Sequence, residues 1–224
     1  MYEVIAQYYD LFMAGDEPWI KFAVNAVKGK GRGADVGCGS GNVSIALSTE
    51  HKVVAIDSSD EMLTVAAEKF RKNGLMIPTV KQKAELLELG FKVDFVTAMC
   101  DVVNYIRTPK KFFAAAYNNL KNDGLLVFDI SSESKLKNIL GNNVYTEVKN
   151  GVTYVWENTL KSKSVDMTLT FFVPSGNGLY RKMTDFQTQY IHTTDEIVFA
   201  LSEVGFSVTV TDEGDRVYFV ARKA

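Results

Sequence analysis

Cysteine and histidine are scarce in this chain, and the scarcity removes whole classes of chemistry. The two cysteines, Cys38 and Cys100, have no C-x-x-C spacing, and the two histidines, His51 and His192, lie far apart. That excludes a disulfide framework and a thiolate or imidazole metal centre. No apolar run reaches the length of about 18 residues that a membrane helix needs. Basic charge is not concentrated either: 25 Lys and Arg stand against 27 Asp and Glu, for a net charge of −2, with no cluster of four or more basic residues. Neither a nucleic-acid partner nor an anionic membrane surface suits that balance. The first residues, Met1-Tyr2-Glu3-Val4, show no basic segment followed by an apolar stretch. A reducing cytoplasm is the expected compartment.

What is present describes a globular protein. The 224 residues, 46% hydrophobic and 23% charged, suffice for one α/β domain plus a sizeable insertion. Alternate glycines at 37, 39 and 41 separate a strand candidate ending near Val36 from an amphipathic run beginning near Asn42. A strand, a tight loop and a helix N-terminus give backbone that a ligand can approach closely, beside free N–H groups that favour an anion. The dinucleotide fingerprint G-x-G-x-x-G requires glycine at 42, where Asn42 stands, and this disfavours a nicotinamide-dependent oxidoreductase. Asp57 closes the next strand, 52–56, and a carboxylate at that place can accept two hydrogen bonds from a ribose diol. Ser58-x-x-Glu61 has the form of a capping box for the following helix, which leaves Asp57 to a ligand.

The remaining chain continues the β-α alternation. Residues 1–13 read as an aromatic-rich helix with Tyr2, Tyr8, Tyr9 and Phe12, and a second helix runs from Pro18 to Lys28 with Asp16 as its cap. A third strand near 77–82 carries Pro78 and so belongs at an outer position. A fourth, 93–99, leads into Cys100-Asp101-Val102-Val103-Asn104-Tyr105, a polar and aromatic strand end of the kind that binds ligands. Thr108-Pro109 opens a helix that Asn122-Asp123-Gly124 stops, and a fifth strand spans 124–130. Parallel β-α-β repetition of this sort implies a doubly wound sheet.

From 143 to 192 the pattern changes to strand-like alternation, with breaks at 161–164 and 174–178. Val165, Met167, Leu169, Phe171 and Val173 share a face, as do Tyr154 and Trp156 before them and Tyr180, Phe186, Tyr190 and His192 after them. This antiparallel insertion is expected to act as a lid over the ligand cleft, the other reading being an oligomer surface. The α/β domain then comprises 1–142 plus 193–224. Thr193-x-x-Glu196, a second capping box, opens its last helix, and an antiparallel hairpin closes the chain.

With Asp35-x-Gly37-x-Gly39-x-Gly41, Asp57, the Cys100–Tyr105 strand end and the closing hairpin together, the chain resembles the class I S-adenosylmethionine-dependent methyltransferases. Within them it is similar to a small bacterial branch with a Tyr-Asp motif, here Tyr9-Asp10, an Asp-x-x-Asn-Tyr strand end, here Asp101–Tyr105, and a β lid. The resemblance implies a Rossmann-like seven-stranded, mostly parallel sheet whose last strand is antiparallel. It implies S-adenosyl-L-methionine as cofactor: Asp35 and the loop Gly37, Cys38, Gly39 and Gly41 at the methionine end, Asp57 and Ser58 at the ribose, Met62 on the adenine. Tyr9, Cys100 and Asp101 then line the methyl. Members of the family carry an acid after the third strand to meet the adenine amino group; here Lys83-Ala84 stands in that place, so the contact falls to Glu85 or to backbone around Ala84. Arg32-Gly33-Ala34 also departs from a β-branched first strand.

Methyl transfer from a sulfonium mainly requires alignment, which agrees with the lack of a Ser-His-Asp or metal cluster. Candidates to take a proton from the acceptor are Asp101, Tyr9, Tyr105 and His192; His192 reads more simply as structural, and His51 as a solvated loop residue. Neither cysteine has a sequence neighbour to lower its pKa, so both read as small buried residues. Asp101 is followed by Val102-Val103, not by paired prolines, which argues against an exocyclic amine of a nucleic acid. The expected partner is a small-molecule O or N acceptor, with a monomer or a homodimer formed through the lid. The alternative is a non-catalytic S-adenosylmethionine binder that uses the lid as an interaction surface.

Overall fold

The computed structural model describes residues 6–13 and 18–224, with only the backbone of Gln7 and Met13. Tyr2 and Asp16 lie outside the described residues. Two helices, α1 (Ala6–Met13) and α2 (Pro18–Ala26), precede the alternating part. There follow β1 (Arg32–Val36), α3 (Asn42–Ser48), β2 (Lys52–Asp57), α4 (Asp60–Lys72), β3 (Thr79–Lys81), β4 (Val93–Ala98), α5 (Pro109–Asn119) and β5 (Leu120–Ser131). A four-strand segment, β6 (Val144–Lys149), β7 (Val152–Leu160), β8 (Ser164–Gly176) and β9 (Leu179–Tyr190), comes next. The chain closes with α6 (Thr194–Val204), β10 (Phe206–Asp212) and β11 (Arg216–Lys223).

These strands form a seven-stranded sheet, β10-β11-β5-β4-β1-β2-β3, and a separate four-stranded antiparallel sheet, β6-β7-β8-β9. In the large sheet β11 alone runs against its neighbours β10 and β5. β1 lies between β2 and β4 and is parallel to both. The strand order therefore reverses between β1 and β4, and a crevice opens beyond their C-terminal ends. Cys38 and Cys100 flank it, Cys38 buried as expected and Cys100 only half-buried.

Burial follows the layers. β4 and the second half of β5 are buried almost throughout, as strands covered on both faces must be. Phe112, Phe113 and Ala116 of α5 pack on Phe128, and Phe128 stacks on Phe219 of β11 at 4.8 Å. Gly33 is explained by its neighbour: a Cβ there would lie 2.0 Å from the ring of Phe95. The residue that weakens the first strand by propensity is the one that lets an aromatic ring cross it.

Several local expectations are corrected. The cap of α4 is Ser59, not Ser58: the Ser59 hydroxyl accepts from the Met62 N–H and itself donates to Glu61. β5 begins at Leu120, and Asn122-Asp123-Gly124 lies inside it. His51 is buried; its Nδ1 meets the Lys30 carbonyl at 3.0 Å and its ring stands edge-on to Phe95. In the small sheet, Tyr180 and Phe186 are exposed, 57% and 71%, and the β9 residues beside Leu169, Met167 and Val165 are Asp185, Gln187 and Gln189. The capping box at Thr193 and Glu196 forms in full.

The small sheet meets the rest of the molecule through that same face. Tyr8 and Phe12 of α1 pack on Tyr154 and Phe171, and Leu136 and Leu140 of a π-helical turn (Lys135–Leu140) pack on Val165 and Met167. Among the described residues no helix is long and apolar enough to cross a membrane.

Candidate active site

The crevice holds a cavity of about 300 Å³. Its lining brings together most of the residues singled out in the sequence: Tyr9, Asp35, Gly37, Cys38, Gly39, Asp57, Ser58, Met62, Lys83, Ala84, Glu85, Cys100 and Tyr105. Gly41 and Asp101 do not line it; they stand behind the wall. Trp19, Ser40, Asn42 and Gln82 line it without having been anticipated.

The glycine loop is built by contacts on one side and left open on the other. Gly37, Gly39 and Gly41 all have φ between 53 and 87°. A Cβ on Gly37 would strike Val102 at 2.4 Å and one on Gly41 would strike Phe70 at 2.5 Å, whereas Gly39 meets nothing within 4 Å. The loop is thus pressed against protein at both ends and presents bare backbone in the middle. Asp57, 9% exposed, accepts from the Gly39 N–H at 2.9 Å with one oxygen and from the Ser59 N–H at 2.9 Å with the other. Burial pushes its carboxyl above the usual range and the backbone N–H groups oppose that push. The carboxylate keeps lone-pair capacity beyond these N–H groups for a hydroxyl donor.

Asp35 serves the loop from beneath. It is fully buried and accepts from Ser44 Oγ at 2.6 Å and Thr97 Oγ1 at 2.8 Å, tying β1 to α3 and β4. Burial raises its pKa from 3.8 to about 6 against those two hydrogen bonds. Burial likewise pushes the Cys38 thiol well up, with Asp35 and Asp57 adding to it, so a Cys38 thiolate is disfavoured.

The far wall is the turn after β4. Cys100 and Asp101 are consecutive non-glycine residues at φ 63° and 66°, a combination that structure must enforce. The enforcing group is Asp129, completely buried at the end of β5, which accepts from the Cys100 N–H at 2.7 Å and the Asp101 N–H at 3.3 Å. Arg216 of β11 pairs with both Asp129 and Asp101, the latter at 2.8 Å, and its guanidinium lies 4.9 Å over the Trp19 ring. Ser131 donates to Asp101 at 2.9 Å. The Asp101 carboxylate is therefore engaged by a cation and a hydroxyl. Neither Asp129 nor Arg216 was anticipated, although an acid closing β5 repeats the position of Asp57 at the end of β2.

Tyr9 lies against this turn, its hydroxyl 3.7 Å from Cys100 Sγ. The neighbouring Cys100, then burial, hold its pKa well above the usual tyrosine value, so at neutral pH it is a phenol and not a base. Next to it in sequence, Asp10 accepts from Ser40 Oγ at 2.6 Å and pairs with Lys69 of α4, which also donates to Asn42 Oδ1 at 2.8 Å. α1 is fastened over the glycine loop by this network. Tyr105 lines the cavity and donates to Gln187 of β9 at 3.0 Å, joining the cavity to the small sheet. His192 meets the Ile106 carbonyl through Nε2 at 3.0 Å, and burial lowers its pKa.

Comparison with known proteins decides the family. Residues 34–124 match the model of a methyltransferase domain. A protein of Geobacillus sp. (strain WCH70) that carries a methyltransferase name is 34% identical over 99% of this chain and 99% of its own length. The crystal structure of an S-adenosylmethionine-dependent methyltransferase from Clostridium acetobutylicum superposes with a TM-score of 0.87 at 28% identity, over 98% of this chain and 97% of that one. The chain belongs to the class I S-adenosylmethionine-dependent methyltransferases. The fold extends to CalS10 of Micromonospora echinaspora, an amino pentose methyltransferase solved with S-adenosylmethionine bound, at TM-score 0.73 and 21% identity over 92% of this chain and 88% of that one.

S-adenosylmethionine is the cofactor of this methyltransferase, and the cavity suits it. The bare backbone at Gly39 and the buried carboxylate of Asp57, 2.9 Å from the Gly39 N–H, provide one surface for close approach and one acceptor for a diol.

Proposed function

We propose that the enzyme methylates a nitrogen or oxygen of a small molecule held between the cofactor cavity and the small sheet, which serves as the lid. The observation that carries this reading is the Tyr105–Gln187 hydrogen bond, which joins the wall of the cavity to the inner face of the four-stranded sheet. The architecture supports it as well: α1 packs on the lid through Tyr8 and Phe12 and on the glycine loop through Asp10, closing the space from above.

In this reading the loop Gly37–Gly41 holds the methionine end, Asp57 the ribose hydroxyls with Ser58 beside it, and Met62, Ala84, Glu85 and Gln82 the adenine end. Lys83 offers no acceptor to an adenine amino group. The bound cofactor supplies a methyl carbon already activated by a sulfonium. The protein then has to align acceptor and carbon in line and exclude water, a contribution on the order of 7–11 kcal/mol at best. Tyr9 orients through its hydroxyl; Asp101, held by Arg216 and Ser131, and the Cys100 backbone shape the wall; Tyr105 links cavity to lid. A small amine or alcohol is the acceptor class, and the amino pentose substrate named for CalS10 supports the amine among them.

The test is release of S-adenosylhomocysteine from S-adenosylmethionine across panels of small amines and alcohols, proteins and nucleic acids. Turnover with small molecules alone is expected. Turnover confined to a macromolecular panel would contradict the reading.

A further inference from the structure

The inner face of the lid buries polar atoms that have no partner among the described residues. Strand register sets Trp156, Leu169 and Asp185 in one row across the sheet, Asn158, Met167 and Gln187 in the next, and Leu160, Val165 and Gln189 in a third. The apolar members of these rows face the main domain. Between them, Trp156 Nε1, Asn158 Oδ1, Asp185 Oδ2, Gln187 Nε2 and Gln189 Oε1 are buried without a hydrogen-bond partner, as is the Tyr154 hydroxyl one row further. Asp185, Gln187 and Gln189 are 9, 5 and 5% exposed.

A fold does not gather such atoms for its own stability. Each unsatisfied buried group costs about 1–3 kcal/mol, and a carboxylate more. Six together are comparable with the whole stability of a domain. One of them, Gln187, accepts from Tyr105, which lines the cavity, and their chemistry is mixed. The indole N–H and Gln187 Nε2 donate, the Asp185, Asn158 and Gln189 oxygens accept, and the Tyr154 phenol can do either. Charge has one sign: Asp185 is the one acidic side chain in the three rows that hold Trp156, Asn158 and Leu160, and none of these rows carries Lys or Arg.

We propose that this face is the acceptor-recognition surface, that Asp185, Gln187 and Trp156 are its specificity-determining residues, and that it selects a neutral or cationic molecule bearing several hydroxyl or amine groups against phosphorylated or carboxylated ones. The proposal rests on the reading of the small sheet as the lid over the acceptor. Asp185 takes an ammonium or hydroxyl donor, Trp156 Nε1 donates to a ligand oxygen, and Gln187 fixes the orientation relative to Tyr105. An anionic group placed here would meet the buried Asp185 carboxyl in rows that carry no Lys or Arg.

The experiment uses the full chain with deuteromethyl S-adenosylmethionine and the low-molecular-mass metabolite fraction of a bacterial extract, followed by ion-exchange separation and mass spectrometry. The labelled product is expected in the neutral or cationic fraction. With that product's precursor as substrate, Asp185→Asn and Gln187→Ala should each lower kcat/KM by about 10- to 100-fold, mainly through KM, the loss expected for one hydrogen bond to a charged or buried group. Affinity for S-adenosylmethionine should be unchanged, and Phe186→Ser, on the opposite face, should behave as wild type. Asp185→Asn keeps the oxygen that accepts from the Phe186 N–H and replaces a buried carboxyl whose other oxygen has no partner among the described residues, so the ligand-free protein should melt at a higher temperature. An anionic product, wild-type kinetics in both variants, or a lower melting temperature for Asp185→Asn would overturn the proposal while leaving the methyltransferase reading intact. Absence of any labelled small molecule with the wild-type enzyme would overturn the small-molecule reading itself, and the proposal with it.

Discussion

Replacing Asp129 by Asn tests how the wall of the site is held. The carboxylate receives the N–H groups of Cys100 and Asp101 and pairs with Arg216, all inside the protein. An amide of the same size can accept with its oxygen but must point its NH₂ group at one of those donors. Breaking a buried pair in this way costs about 3–5 kcal/mol. Part of that loss is returned, because two consecutive left-handed residues store about 1–3 kcal/mol each, and the turn relaxes once its clamp is gone. The net fall in stability is then at most a few kcal/mol, or roughly 10 °C in Tm for a chain of this size. Turnover of the folded protein should fall as well, because displacing a positioned wall by about 1 Å is worth about 100-fold. Circular dichroism melting and S-adenosylhomocysteine release separate the two effects. A second variant, Cys100→Gly with Asp129 kept, removes strain while the clamp stays and should hold or raise Tm. If Asp129→Asn turned over within about twofold of wild type at substrate saturation and low substrate alike, the clamp argument would be wrong.

Other expectations follow from the same geometry. Asp35, raised to about 6 from 3.8, binds its proton more tightly folded than unfolded, so its contribution is full below about pH 4 and is lost as pH rises through about 6. Relative to wild type, Asp35→Asn should therefore gain about 2 kcal/mol in denaturant unfolding between about pH 4 and pH 7.5; a flat difference refutes this. Gly33→Ala drives a Cβ into the Phe95 ring and should cost about 1–3 kcal/mol, or roughly 2–12 °C; an unchanged Tm would show that the ring has room to move. Asp10→Asn loosens α1 from Ser40 and Lys69 and should weaken S-adenosylmethionine binding severalfold with little change in global Tm, read by calorimetric titration. Equal affinity would mean that α1 does not close the cofactor cavity.

How much of this was legible in the sequence depends on the range of the interaction concerned. The β-α order, the Thr193 capping box, the glycine loop and the place of Asp57 are written in local pattern, and they appear where the pattern put them. The Ser58 cap failed by one residue because Asp57 accepts from the Ser59 N–H, drawing the next serine into the capping position. Which face of the small sheet turns inward is open in the sequence for a different reason. Alternation on β9 defines two faces, and only pairing with β8 decides which one turns inward; the aromatic face, with Phe186, proved to be the exposed one. Asp129 and Arg216 stand 87 positions apart, and no local signal connects them. His51 read as solvated from its loop, yet the packing of Phe95 beside Gly33 buries it.

The central claim, that Asp57 and the glycine loop bind S-adenosylmethionine, is tested most directly by calorimetric titration of S-adenosylmethionine into the wild-type protein and Asp57→Ala. Loss of a carboxylate that accepts from a diol should cost about 1.5–3 kcal/mol, about 10- to 100-fold in Kd, with the wild type binding one equivalent. Equal affinity in the two proteins would contradict the account.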